Sequence, residues 1–188
     1  MEIELLERQS SELRKDIVEV CYHSKAGHVG GSLSAIDILN VLYFNELRID
    51  PNNPKMENRD RFILSKGHIA EALYVTLAKR GFFAYSELDN FSGYNTKYIA
   101  HPNNKVAGVE MNTGALGHGL AIGVGLAIAA KKMGQDYRTY VLMGDGELAE
   151  GSIWESAMAA GHYKLDNLCA IVDRHHLQIS GCTETVMT

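Results

Sequence analysis

Two short segments hold residue types suited to a phosphorylated ligand. Gly144-Asp145-Gly146-Glu147 directly follows an apolar run. Its glycines let the backbone turn sharply and bring N–H groups to an anion, while the carboxylate faces a cation. A diphosphate neutralised by a divalent cation needs both functions. Taken alone, the triplet also reads as an ordinary turn that Asp145 starts and Gly146 relaxes. The second segment, Asp173-Arg174-His175-His176-Leu177, arrives one helix and one strand later. Two adjacent loops can share one ion. Magnesium prefers hard oxygen ligands in octahedral geometry, so Asp145 is expected to be joined by a side-chain oxygen and a backbone carbonyl from the second loop.

The surrounding pattern supplies elements to position these loops. Leu5, Leu6, Leu13, Ile17, Val18 and Val20 recur at helical spacing, predicting an amphipathic helix that ends near Lys25-Ala26-Gly27. Gly27-His28-Val29-Gly30-Gly31 reads as a loop, and Ser34 with Asp37 as a capping box opening a second helix. Arg61–Ser65 predicts a strand, and Ala70–Lys79 a helix after it. Leu116–Met133, rich in Gly and Ala, predicts a tightly packed helix, followed by a strand Thr139–Met143 that breaks at Gly144. A helix near Ser152–His162 leads to the strand Leu168–Asp173. Strands alternating with helices predict an α/β fold, a mainly parallel sheet with helices on both faces. In such sheets ligands bind beyond the carboxyl ends of the strands, here Ser65, Met143 and Asp173.

Bulk composition bounds the rest. With 46% hydrophobic and 22% charged residues, the chain has the makeup of a soluble globular protein, and one domain over residues 1–188 is expected. A net charge of −5 without a long basic run argues against nucleic-acid or membrane-surface partners. Cys21, Cys169 and Cys182 show neither metal-ligand spacing nor a disulfide framework, so a cytoplasmic setting is expected. The opening Met1-Glu2-Ile3-Glu4 is acidic and no stretch has membrane-spanning length, so neither secretion nor membrane insertion is expected.

Four ordered blocks make the chain resemble the transketolase family, especially its split members whose amino- and carboxy-terminal halves are separate polypeptides. The blocks are Gly27-His28-Val29-Gly30-Gly31-Ser32, Asp60-Arg61-Phe62-Ile63-Leu64-Ser65-Lys66-Gly67-His68, Gly108-Val109-Glu110-Met111-Asn112-Thr113-Gly114-Ala115-Leu116-Gly117-His118-Gly119, and Gly144-Asp145-Gly146-Glu147-Leu148-Ala149-Glu150-Gly151. The resemblance implies a thiamine-diphosphate-binding fold and two-carbon ketol transfer between sugar phosphates, with Mg²⁺ or Ca²⁺ at the diphosphate. It assigns His68 and His101 to the diphosphate and reacting centre, and His28 to the sugar. Gly114 and Leu116 match residues lining the cofactor's pyrimidine side. Asp145 matches the metal-binding aspartate, Gly146 a backbone diphosphate contact, and Leu177 the position whose carbonyl completes metal coordination. Gly144 and Glu147 belong to the same cofactor-binding turn. Glu150 matches an acid near the interface between subunits with a catalytic assignment, and its place before the helix near Ser152 also suits a helix cap. His118, His162 and His176 read as structural or solvent-facing.

The chain departs from the family pattern in two ways. His175 stands where the family has an asparagine whose amide oxygen binds metal, and imidazole suits zinc, nickel or copper better than Mg²⁺ or Ca²⁺. The family also continues through further strands, so the domain is expected to be incomplete at its C-terminus. The acid that activates the cofactor's aminopyrimidine belongs, in the family, to a second domain with no match here. Activity is therefore expected only in an oligomer with a carboxy-terminal partner subunit. The diphosphate turn is shared with deoxyxylulose-phosphate synthase-like enzymes and 2-oxo acid dehydrogenase components; Lys66-Gly67-His68 and Asn112-Thr113-Gly114 favour transketolase. A non-catalytic relative is the remaining alternative, motivated by His175 and the short length.

Overall fold

A computed structural model describes residues 2–179 and 181–187; Met1, Ser180 and Thr188, which bound or interrupt the expected 1–188 domain, lie outside them. The chain forms two compact units, Met1–Arg59 with His68–Asn112, and Asp60–Gly67 with Thr113–Thr188.

In the first unit, α1 (Ile3–Ser24) buries Leu13, Ile17, Val20 and Cys21, the stripe its helical spacing predicts. It ends at Ser24 with Lys25 as its left-handed C-cap, at the Lys25-Ala26-Gly27 stop expected from the sequence. The stripe packs against α2 (Val29–Val41) and α3 (Ala70–Arg80), where Ile36, Leu39, Leu73 and Leu77 are sealed from solvent. Burying each such side chain contributes about 1.5–3 kcal/mol. A buried polar tie joins α1 to α2, where Asn40 Nδ2 donates to Ser10 Oγ and to the Leu6 carbonyl. The predicted start of the second helix is corrected. α2 begins at Val29 and takes Gly30 and Gly31 into its first turn, while Ser34 lies inside it. No side chain of α2 caps that end; a carboxylate from α3 does, which local spacing cannot reveal.

The second unit is built on the parallel strands β1 (Arg61–Leu64), β2 (Thr139–Gly144) and β3 (Leu168–Asp173), with β2 in the middle. The register pairs Leu64 with Leu142 and Gly144 with Asp173, so the two chemistry-bearing loops leave the sheet side by side. Helix α4 (Gly119–Met133) lies on β2, and with α5 (Gly151–His162) it closes a core of Ile63, Leu120, Val141, Met143 and Ile153. The predicted start of α4 at Leu116 moves to Gly119, because the Gly117 N–H is drawn to a buried carboxylate instead of entering the helix. Beyond β3 follow a short antiparallel pair, β4 (Leu177–Gln178) and β5 (Gly181–Cys182), and one helical turn, α6 (Thr183–Val186). No helix among the described residues is long and apolar enough to cross a membrane.

Two glycines of α4 separate packing from propensity. A Cβ on Gly123 would lie 2.5 Å from Val141 Cγ2, whereas one on Gly125 meets nothing within 4 Å. Gly125→Ala is expected to stabilise by about 0.5–1 kcal/mol through helix propensity. Gly123→Ala is expected to destabilise by roughly 1–3 kcal/mol through overpacking against β2. Urea unfolding of the two variants checks the opposite signs.

Candidate cofactor and metal site

In the second unit the diphosphate-type turn is organised by Glu147, whose carboxylate is almost wholly buried. Asp145 opens the single helical turn Gly146–Ala149 that carries Glu147. Glu147 Oε1 accepts from Ser65 Oγ, and from the Gly117 N–H at 2.8 Å; Oε2 accepts from the Gly144 N–H at 3.1 Å. Ser65 Oγ in turn accepts from the Gly119 N–H, and Ser152 Oγ donates to the Gly117 carbonyl. One carboxylate therefore fixes the end of β1, the loop before α4 and the turn after β2. Gly117 needs φ of +84°, and a Cβ there would lie 2.7 Å from both Glu150 Cβ and Ser152 Oγ, which is why residues 116–118 do not extend the helix.

Asp145 is held from both sides. Oδ1 accepts from its neighbour's Gly146 N–H at 3.0 Å, and Oδ2 from the His176 N–H at 2.7 Å. The Asp145 N–H reaches the Asp173 carbonyl, closing the two loops on each other. His176 turns its N–H inward by adopting φ of 62°, a left-handed backbone that costs about 1 kcal/mol or more in a non-glycine residue. The His175 side chain is 26% exposed, with Nδ1 3.5 Å from Asp145 Oδ1. The same nitrogen also lies 3.3 Å from the Leu177 N–H. Behind the loop, Lys66 is fully buried and its Nζ donates to Asp173 Oδ2 at 2.7 Å, neutralising the second acid of the loop pair.

The predicted metal residues Asp145 and His175 thus meet, with Leu177 following at the start of β4. Among the described residues no group of three His, Cys, Asp or Glu side chains forms a ready cation cage. An ion at Asp145 would need backbone and ligand oxygens as well. Gly114, Leu116, Gly144 and Gly146 lie on the loops that Glu147 ties, and a Cβ on Gly67 would strike the Gly114 nitrogen at 2.8 Å. Glu150 takes the backbone N-cap position of α5 but makes no side-chain cap bond. His118 is exposed with Nδ1 against the Leu116 carbonyl, and exposed His162 stacks edge-on to Tyr163.

In the first unit, His28 and His68 meet edge-to-face with ring centroids 5.3 Å apart. His101 is exposed, and its carbonyl accepts from Tyr74 Oη at 2.9 Å. Burial pushes the Tyr74 phenol well above its ordinary range, so it stays a hydrogen-bond donor. Sequence reasoning missed Ser65, Lys66 and the His176 N–H. Ser65 and Lys66 stand inside the second matching block, the one signal that could have marked them.

A family model described as "Transketolase, thiamine diphosphate binding domain" matches residues 7–188. The chain belongs to the transketolase family. It is 55% identical over 188 residues to one subunit of an apulose-4-phosphate transketolase from Phocaeicola vulgatus, covering 100% of this chain and 67% of that protein. It is 41% identical to a 6-deoxy-6-sulfo-D-fructose transketolase subunit from a Clostridium species, covering 96% and 66%. A transketolase crystal structure from Campylobacter jejuni superposes with a TM-score of 0.94 at 36% identity, covering 100% of this chain and 31% of that one. The chain therefore spans about two thirds of the subunit relatives and under a third of the longer transketolase. Its match is to the amino-terminal, thiamine-diphosphate-binding part of a transketolase, and the expected α/β fold with a parallel sheet is the fold found.

The buried ion pair gives a stability test. Lys66→Met leaves Asp173 without its cation and is expected to cost about 3–5 kcal/mol, whereas adding Asp173→Leu recovers at least half of that loss. Denaturant midpoints of the single and double variants check this.

Proposed function

We propose that this chain is the amino-terminal subunit of a two-component transketolase and acts, over residues 1–188, as its diphosphate-binding domain. The observation that carries the reading is the Asp145 carboxylate, held between the Gly146 and His176 N–H groups at the carboxyl edge of a parallel sheet, with Asp173 neutralised behind it. When bound, thiamine diphosphate supplies the nucleophilic carbon and the electron sink that let a two-carbon unit leave a ketose and join an aldose. The protein's part is to hold and orient. Asp145, His175 and the Leu177 carbonyl are assigned to the metal, Gly144 and Gly146 to the diphosphate, and Gly114 and Leu116 to the pyrimidine side. Glu147 serves the cofactor by fixing Gly144 and Gly117. His68 and His101 are assigned to the diphosphate and reacting centre, His28 to the sugar, and Glu150 to the interface between subunits.

The donor set fits a divalent cation in part. Each Asp145 oxygen uses one lone pair on a protein N–H and keeps another, a hard donor suited to Mg²⁺ or Ca²⁺. His175 offers a softer nitrogen where a hard oxygen would serve these ions best. His175→Asn is therefore expected to tighten Mg²⁺-dependent thiamine diphosphate binding by about tenfold, the scale at which changes around a metal register. Calorimetry giving equal or weaker binding in the variant would count against this assignment.

The partner is a carboxy-terminal transketolase polypeptide, and the substrates are sugar phosphates. Free Cys21, Cys169 and Cys182 suit a reducing, cytoplasmic setting. The direct test combines the chain with such a partner, thiamine diphosphate and Mg²⁺, and follows two-carbon transfer to an aldose phosphate. Apulose 4-phosphate is the first ketose to try, given the relative at 55% identity. Transfer that needs both polypeptides is expected. Absence of transfer together with absence of cofactor binding would favour a non-catalytic role.

A further inference from the structure

We propose that Glu71 is the positioning residue of the His28–His68 pair, its buried carboxylate holding the backbone from which His28 projects. The functional consequence rests on the reading of His28 as a sugar contact. Glu71 lies in the first turn of α3 and is completely removed from solvent. Its Oε1 accepts two short bonds, from the His28 N–H at 2.6 Å and from Ser32 Oγ at 2.7 Å. Both donors belong to the start of α2, where His28 is the N-cap residue and supplies no side-chain cap. The N–H groups opening a helix lack intrahelical partners and carry partial positive charge, so a carboxylate brought there from another helix does the work of a cap.

The backbone is fitted closely around this carboxylate. Gly27 has φ of +122°, and a Cβ on it would lie 2.6 Å from Cys21 Sγ and 3.1 Å from Glu71 Oε1. The chain can therefore pass the carboxylate only as glycine. One residue later comes His28, and one turn before Glu71, in the single turn Gly67–Ile69, comes His68. A Cβ on Gly31 would meet Ile69 Cγ2 at 3.0 Å and His68 Nε2 at 3.7 Å, so the first turn of α2 rests directly on the segment that carries His68. Glu71 thus fastens one histidine's backbone to the helix that begins beside the other.

The remaining oxygen argues for a role beyond packing. Glu71 Oε2 is buried with no hydrogen-bond partner among the described residues. A carboxylate there is a poor choice for stability alone, since an unpaired buried polar atom is unfavourable. Cys21 registers the same environment: burial first, then the Glu71 charge, pushes its thiol up to about 11.

The test uses the full chain with its carboxy-terminal partner, and three variants. Glu71→Gln keeps an acceptor oxygen for both donors; Glu71→Ala removes it; Glu71→Asp keeps the charge but draws it back by one methylene. Imidazole NMR signals of His28 and His68 are recorded on the full chain, and KM for the ketose phosphate, kcat and thiamine diphosphate affinity on the complex. Glu71→Ala and Glu71→Asp are expected to move the His28 signals and raise KM about tenfold, with kcat and cofactor affinity changed less than threefold. Glu71→Gln is expected to return both the signals and KM to near wild type. Unmoved His28 signals in Glu71→Asp overturn the proposal whatever the activity. So does a parallel loss of KM, kcat and cofactor affinity that Glu71→Gln fails to rescue. If wild type itself transfers no two-carbon unit, the functional reading fails while the NMR comparison still decides the role of Glu71. If Glu71→Ala does not fold, Glu71→Asp carries the test.

Discussion

The buried carboxylate of Glu147 collects the Ser65 hydroxyl and the Gly117 and Gly144 N–H groups, so the end of β1, the loop before α4 and the turn after β2 converge on one anion. A carboxylate is suited to the task because its two oxygens can accept several bonds in a plane, and a hydrogen bond to an ionised acceptor is stronger than one to a neutral group. Removing it would strand three donors from three segments at once. The turn after β2 is therefore set by contacts behind it.

The same logic explains why two further acids in this region do different things. Asp173 is turned inward and matched by the fully buried Lys66, while Asp145 accepts from the backbone N–H groups of Gly146 and His176 and has His175 Nδ1 3.5 Å from Oδ1. The metal assignment proposed above therefore falls on Asp145 and not on Asp173. His175 stands beside Asp145, with Nδ1 3.5 Å from Oδ1, so in the metal assignment proposed above a nitrogen takes the place where a hard oxygen would serve Mg²⁺ better.

Much of this was legible in the sequence, for identifiable reasons. The strands Arg61–Leu64, Thr139–Gly144 and Leu168–Asp173 emerged within a residue of expectation because short apolar runs bounded by glycine and polar loops have few other solutions in an α/β chain. The neighbouring turns at Gly144 and Asp173 followed from that order. Helix starts were less legible wherever the cap came from afar. Glu71 stabilises an α2 that begins at Val29, well before the local signal at Ser34, and Glu147 holds Gly117 out of α4. Lys66 reads as a surface charge in isolation, and only the fold shows it buried against Asp173. The inward N–H of His176 depends on a left-handed backbone that its side chain gives no reason to expect. The family could be named from four ordered blocks, but that Ser65, Lys66 and Glu147 fasten the loops from behind could not.

If Glu147 sets the turn that receives the cofactor diphosphate, loosening its bond to that turn must weaken cofactor binding. Glu147→Gln keeps one oxygen for Ser65 and Gly117 and places an amide N–H₂ against the Gly144 N–H, so it unfastens that turn alone. Titration calorimetry of thiamine diphosphate with a divalent cation into wild type and this variant is the most direct measurement. Saturable binding by wild type and at least about tenfold weaker binding by a folded Glu147→Gln chain is the predicted result; equal affinity in the two proteins would contradict the role given to Glu147.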